Sequence, residues 1–331
     1  MVGENNAVDT KQKQEIQNVF PEENTRVSII GFVAARPWKL VASVLAVLLI
    51  IALLAWSTGL VQITGVIGEM GKGTNAGEMA ASSNVIPVSV NLPIVWGSLG
   101  KMMLAEGVID EKKLADLYES RGGMSETMRG MLYEDNTENV VVNEENAQDM
   151  LNLFWAFGLA DTNAILSDGP MMDKEFGGDP SQFASTGGWT LRTGAIQDHY
   201  NMHPFVSLTT EQQALVERVS KNIYRPCCNN STYFPDCNHG MAMLGLLELL
   251  AANNVSEEDV YDIALGINTY WFPGTYETIA ASAAQDGIVY ANISAKELLG
   301  KGLSSASGFQ AVKASLNAPA TVQKGGGECS V

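Results

Sequence analysis

Histidine and cysteine are scarce in this chain, with three of the first and four of the second among 331 residues. So few cysteines cannot build the dense disulfide framework of a small secreted scaffold, and a chain this long buries a full core without one. Basic residues are also few, 20 Lys and Arg against 37 Asp and Glu, which gives a formal net charge of −17. Residues 1–39 hold five acidic and five basic side chains and residues 40–68 hold neither, so the whole negative excess lies in residues 69–331. That segment repels nucleic acid and draws in cations, which argues against nucleic acid as a partner. Several motifs are missing: Cys-x-x-Cys-His of covalent haem, Cys-x-x-Cys of thioredoxin-like redox proteins, the phosphate-cradling Gly-x-x-x-x-Gly-Lys-Ser/Thr, His-Glu-x-x-His and Gly-x-Ser-x-Gly.

What is present divides the chain. The uncharged run begins at Leu40 and continues to Gly68, and Trp38 and Trp56 flank its most apolar part, where indole rings favour the headgroup region. A membrane-spanning helix needs about 20 apolar residues. A cleaved leader would be shorter and nearer the start, so a retained anchor over 38–60 is expected. Arg26, Arg36 and Lys39 precede the run and Lys72 follows it. Positive charge stays on the cytoplasmic side, so the chain should be single-pass in the plasma membrane with its N-terminus inside. The organisation expected is a polar cytoplasmic tail over 1–37, the anchor over 38–60 and a flexible tether over 61–86. An extracytoplasmic domain over 87–318 and a Gly-rich tail over 319–331, which carries Cys329 as a mobile thiol, complete it.

The domain reads as mainly α-helical. Leu99–Leu104 leads into Gly107, Asp110 is placed to cap Glu111–Glu119, and Asn143 to cap a helix whose Ala147, Met150, Leu151, Phe154 and Gly158 share a face. Ser207–Gln213 supplies a capping box before Leu215, Val219 and Ile223, and Ser256 opens a helix with Val260, Ile263, Ile267 and Trp271 as its stripe. Strand signals are confined to Asn139–Val142 and Gly287–Ala291. Glycosylation sequons occur at Asn229, Asn230, Asn254 and Asn292.

All three histidines and three of the four cysteines fall between Asp198 and Leu247. Asp236 is expected to cap the helix running through Met241 to Leu250, with Cys237 in its first turn, where the positive end of the helix dipole favours a thiolate. Cys227 and Cys228 follow Arg225, whose charge favours the same state, and the loop to Cys237 is long enough for the three sulfurs to meet. Three sulfurs and one imidazole suit tetrahedral zinc, and soft ligands also suit Cu(I), so Cys227, Cys228, Cys237 and His239 are the expected metal ligands, with zinc or copper favoured over iron. His199 and His203, four residues apart, come second, with Asp198, Met241 and Met243 as further donors; Pro204 works against a helical pairing of the two rings. Two other classes use the same cysteines. A thiol-disulfide redox protein needs one activated thiol and one that resolves it, whereas a surface scaffold or interaction protein would carry them as a disulfide staple without catalysis.

Overall fold

A computed structural model describes residues 85–316 of the chain, all within one compact unit. The expected tail over 1–37, the anchor over 38–60, nearly all of the tether over 61–86 and the tail bearing Cys329 lie outside the described residues.

The described chain opens with a strand, β1 (Val90–Gly97), then α1 (Leu99–Ala105), α2 (Glu111–Glu119), α3 (Glu126–Tyr133) and a second strand, β2 (Asn136–Val142). There follow α4 (Ala147–Ala160), α5 (Ala164–Asp168), α6 (Ala184–Gly187), α7 (Thr210–Ser220), α8 (Asn238–Ala252) and α9 (Glu257–Trp271). The last elements are α10 (Pro273–Gln285), α11 (Ala295–Leu298), α12 (Lys301–Ser304) and α13 (Ala306–Ser315). The domain is therefore mainly helical, as its periodicity implies.

The strands form a two-stranded antiparallel sheet with Val90 opposite Val142 and Leu92 opposite Val140. In β1, Leu92, Ile94 and Trp96 point into the core and Pro93 and Val95 away from it. This alternation is a strand signature, but Pro93 removes a ladder donor and the register breaks between Leu92 and Val95. The second expected strand, Gly287–Ala291, is a turn instead: Gly287 takes a left-handed φ of +72° and a 3₁₀ turn follows at Tyr290–Asn292.

Two helices form the centre. Almost every residue of α4 and α8 is buried, which is how a helix that is apolar all round behaves. They cross at Gly158 and Gly245: a Cβ on Gly158 would stand 2.5 Å from the Met241 carbonyl, and one on Gly245 2.6 Å from the Phe154 carbonyl. Backbone meets backbone there, so neither position admits a side chain. Around the pair pack β1, α6, α7 and α9, while a smaller core of Val85, Phe272, Tyr276, Ile279, Leu298 and Val312 joins α10 to the C-terminal helices. Among the described residues no helix is long and apolar enough to cross a membrane. The most apolar, α8, has 15 residues, and at 1.5 Å per residue it falls short of a bilayer core of about 30 Å.

The caps refine the sequence reading by a residue or so. Asp110 and Ser256 accept the N–H groups of Lys113 and Asp259, as expected. The capping box before α7 is Thr209 with Gln212, rather than a pair involving Ser207 or Thr210. Asn143 takes the N–H groups of Glu145 and Asn146, and Asn146 is the residue that precedes α4.

Candidate metal centre

After α7 the chain turns back on itself. Thr232 N–H donates to the Ile223 carbonyl at 2.8 Å, Tyr233 N–H to Ser220 at 3.1 Å, and Tyr224 pairs with Ser231. Cys227 and Cys228 sit near the tip of this loop, which is fixed to the C-terminal helices by Ala306 N–H on the Cys228 carbonyl and Ser307 N–H on Asn229 Oδ1, both at 2.8 Å. The returning segment then delivers Cys237 to the head of α8.

Cys237 itself, and not Asp236, is the N-cap of α8: its Sγ accepts the Gly240 N–H at 3.4 Å. This one-residue correction decides the site. Cys237 Sγ lies 3.5 Å from Cys227 Sγ, and the sulfurs of Cys227, Cys228 and Cys237 are all within 4.8 Å of one another. Cys227 and Cys228 are free cysteines. Thiolates on one zinc ion, with bonds of about 2.3 Å, stand roughly 3.8 Å apart in a tetrahedral site, so the spacing and the soft donor set fit such an ion.

Arg225 holds the cluster from beneath. Its side chain is 1% exposed, its Nε donates to Cys237 Sγ at 3.3 Å, and its Nη2 pairs with Asp236 Oδ1 at 2.7 Å. The Asn230 and Phe234 carbonyls take further guanidinium hydrogens, each at 3.1 Å. A Cβ at Gly240 would lie 2.4 Å from the guanidinium, so glycine there makes the room. Burial alone would lower the arginine's pKa, but the negative charge available at Cys237, Cys228 and Asp236 raises it well above its ordinary value. Cys228 also donates to Asp236 Oδ1, at 3.8 Å, and Asn230 Nδ2 bonds the other carboxylate oxygen at 2.9 Å.

Cys227 and Cys228 are both shifted toward their protonated forms. Contact with Cys228 and Cys237, together with burial, drives the Cys227 pKa far up. For Cys228, the Cys227 thiol beside it acts downward, but Cys237 and burial outweigh it and push the value up to about 12. Losing more than one of these protons would gather negative charge in a confined space, which a metal ion would offset more fully than Arg225 alone.

His239 does not join the sulfurs. It lies two residues beyond Cys237, and two helical steps turn a side chain about 200° around the axis. Its ring faces the end of α9 instead, 4.6 Å from the ring of Phe272 and 5.8 Å from that of Trp271, with Nδ1 buried and without a hydrogen-bond partner. Met241 and Met243 are fully buried core side chains of α8. Asp198 closes a 3₁₀ turn by accepting the Ala195 N–H at 3.0 Å. His199 and His203 meet each other, Nδ1 to Nε2 at 3.2 Å, although they lie on no common helix. Among the described residues the group of three or more such side chains close enough to share one ion is therefore the three cysteines.

A second buried polar group lies further along α8, where the apolar pattern of the sequence does not announce it. Glu248, in the middle of α8, is completely buried, and its carboxyl group stands against the carboxyl of Asp161 and the amide of Asn163. Burial raises Asp161 to about 6, while burial and the charge of Asp161 raise Glu248 well above its ordinary value. The available signal was one acidic residue inside the otherwise apolar run Gly240–Ala252.

No protein-family model, curated protein or solved structure matches this chain. Fold and site together define a mainly helical domain with a three-cysteine, one-arginine cluster at the head of its central helix.

Proposed function

We propose that this is a membrane-anchored extracytoplasmic protein that binds or handles a soft metal ion, zinc or copper ahead of iron, through Cys227, Cys228 and Cys237. The observation that carries this reading is the convergence of three sulfurs within 4.8 Å of one another, from two separate stretches of chain. Arg225 acts as a positioning residue, since its Nε–H and the Gly240 N–H both point at Cys237 Sγ. His239, held against Phe272 and Trp271, is left out of the ligand set. The anchor rests on the uncharged run from Leu40 to Gly68, and the outward orientation on the basic residues before it. The acidic surface gathers cations toward the site.

A second reading has its own support. Cys227 and Cys237, 3.5 Å apart with two N–H donors on the latter sulfur, are arranged as a dithiol would be for exchange with a disulfide of another molecule. Elemental analysis with thiol counting on one sample separates the two: metal that masks the thiols supports the first, and rapid oxidation to a Cys227–Cys237 pair without metal supports the second.

A further inference from the structure

The two remaining histidines form a unit of their own. Gly107, with φ +72°, ends the turn after α1, and its carbonyl takes the Thr193 N–H at 2.9 Å. A Cβ there would press on Thr193 Cβ at 3.1 Å and reach His199 Cε1 at 3.7 Å, so a glycine lets this turn lie against the His199 ring. His199 Nε2 is 2.6 Å from the Thr193 carbonyl. A carbonyl oxygen can only accept, so Nε2 carries the hydrogen and Nδ1 is the bare nitrogen of the neutral ring. His203 stacks on Phe205 with ring centres 5.3 Å apart. Its Nδ1 faces the carboxylate of Glu106 at 3.7 Å, and the Asp198 carbonyl also accepts from the ring.

Each imidazole thus has an oxygen acceptor on its outer side, and their inner nitrogens, His199 Nδ1 and His203 Nε2, stand 3.2 Å apart. A carbonyl or carboxylate behind each ring is the arrangement that fixes the tautomer of a metal-bound histidine and strengthens it as a donor. Two metal–nitrogen bonds of about 2.1 Å spanning this 3.2 Å gap subtend roughly 100°, between the square and tetrahedral angles. His203 is partly exposed, its side chain 14%, while His199 beneath it is buried.

We propose that His199 and His203 form a second metal site, for a borderline divalent cation such as zinc or Cu(II), bound by His199 Nδ1 and His203 Nε2 with water completing the shell. It is separate from the thiol cluster and does not depend on it. Glu106 and Thr193 hold the rings in place from outside.

Because the chain has three histidines, imidazole nitrogens can be followed one by one in ¹⁵N NMR of the full chain, assigned with His203→Gln and His239→Gln. On adding zinc chloride, the resonances of His199 Nδ1 and His203 Nε2 should move to metal-bound positions while His239 stays. In His203→Gln the His199 shift should be lost, together with one zinc equivalent per chain. Unmoved His199 and His203 nitrogens at millimolar zinc, in wild-type protein that needs no mutation, would overturn the proposal, as would a shift confined to His239. Failure of the thiol reading shows elsewhere, as missing metal on the cysteines, and leaves these signals untouched.

Discussion

Arg225 carries a positive charge into the interior and finds there one carboxylate, two carbonyls and a sulfur. Removing one member of a buried ion pair leaves the other uncompensated, at a cost of about 3 to 5 kcal/mol. Arg225→Met should therefore lower unfolding free energy by about that much in urea titrations, and Arg225→Lys by less, because a lysine keeps the charge but cannot serve four acceptors at once. His239 gives the opposite kind of prediction. His239→Ala should leave metal stoichiometry unchanged and reduce stability by about 1 kcal/mol through lost ring contacts; loss of the metal on dialysis would place His239 among the ligands after all. Sequence alone pointed to Cys227, Cys228, Cys237 and the nearby charge of Arg225. What it could not fix was the helix start, and one residue there decides which way His239 faces.

At the scale of elements, α4 and α8 are held so close at Gly158 and Gly245 that a methyl group would enter the neighbouring backbone. Gly245→Ala should destabilise by roughly 2 to 3 kcal/mol, since neither helix can move away without opening the core. Gly302→Ala, where nothing lies within 4 Å, is the matching control and should be nearly silent. The buried carboxyls give α8 a pH dependence. Asp161 is raised to about 6 and Glu248 is raised as well, so the folded protein binds these protons more tightly than the unfolded chain does. Their contribution to stability is then complete below about pH 4 and is lost as pH rises, for Asp161 through about 6. The melting temperature of wild-type protein should fall over that interval relative to Glu248→Gln; parallel curves would show that the pair is not held protonated. Helices were legible wherever a cap and an apolar stripe coincided, as at Asp110 and Ser256. β1 was not, because Pro93 interrupts an otherwise regular alternation, and Gly287–Ala291, apolar enough to resemble a strand, forms an exposed turn in which Val289 is 61% accessible.

For the molecule as a whole, the central pair of helices supplies the rigid base, and the loop from Lys221 to Asp236 lies between it and the C-terminal helices. Contacts from both sides meet there: Ser185 N–H on the Asp236 carbonyl at 3.1 Å, and Ala306 N–H on the Cys228 carbonyl. The loop that carries the cysteines is thus held by tertiary packing on two sides, while their closeness in sequence already lets the three sulfurs meet. The proposed topology is tested on intact cells: external protease should remove the acidic domain and spare the N-terminal residues, and protection of the domain would reverse the orientation. The measurement to make before any other is elemental analysis of the full chain, purified without added metal or chelator, with thiols counted on the same sample before and after chelation. Stoichiometric zinc or copper, with three thiols that react only once it is removed and a Cys237→Ser variant that loses it, is the outcome expected. A metal-free chain whose Cys227, Cys228 and Cys237 are either alkylated at once or locked in a disulfide would contradict it.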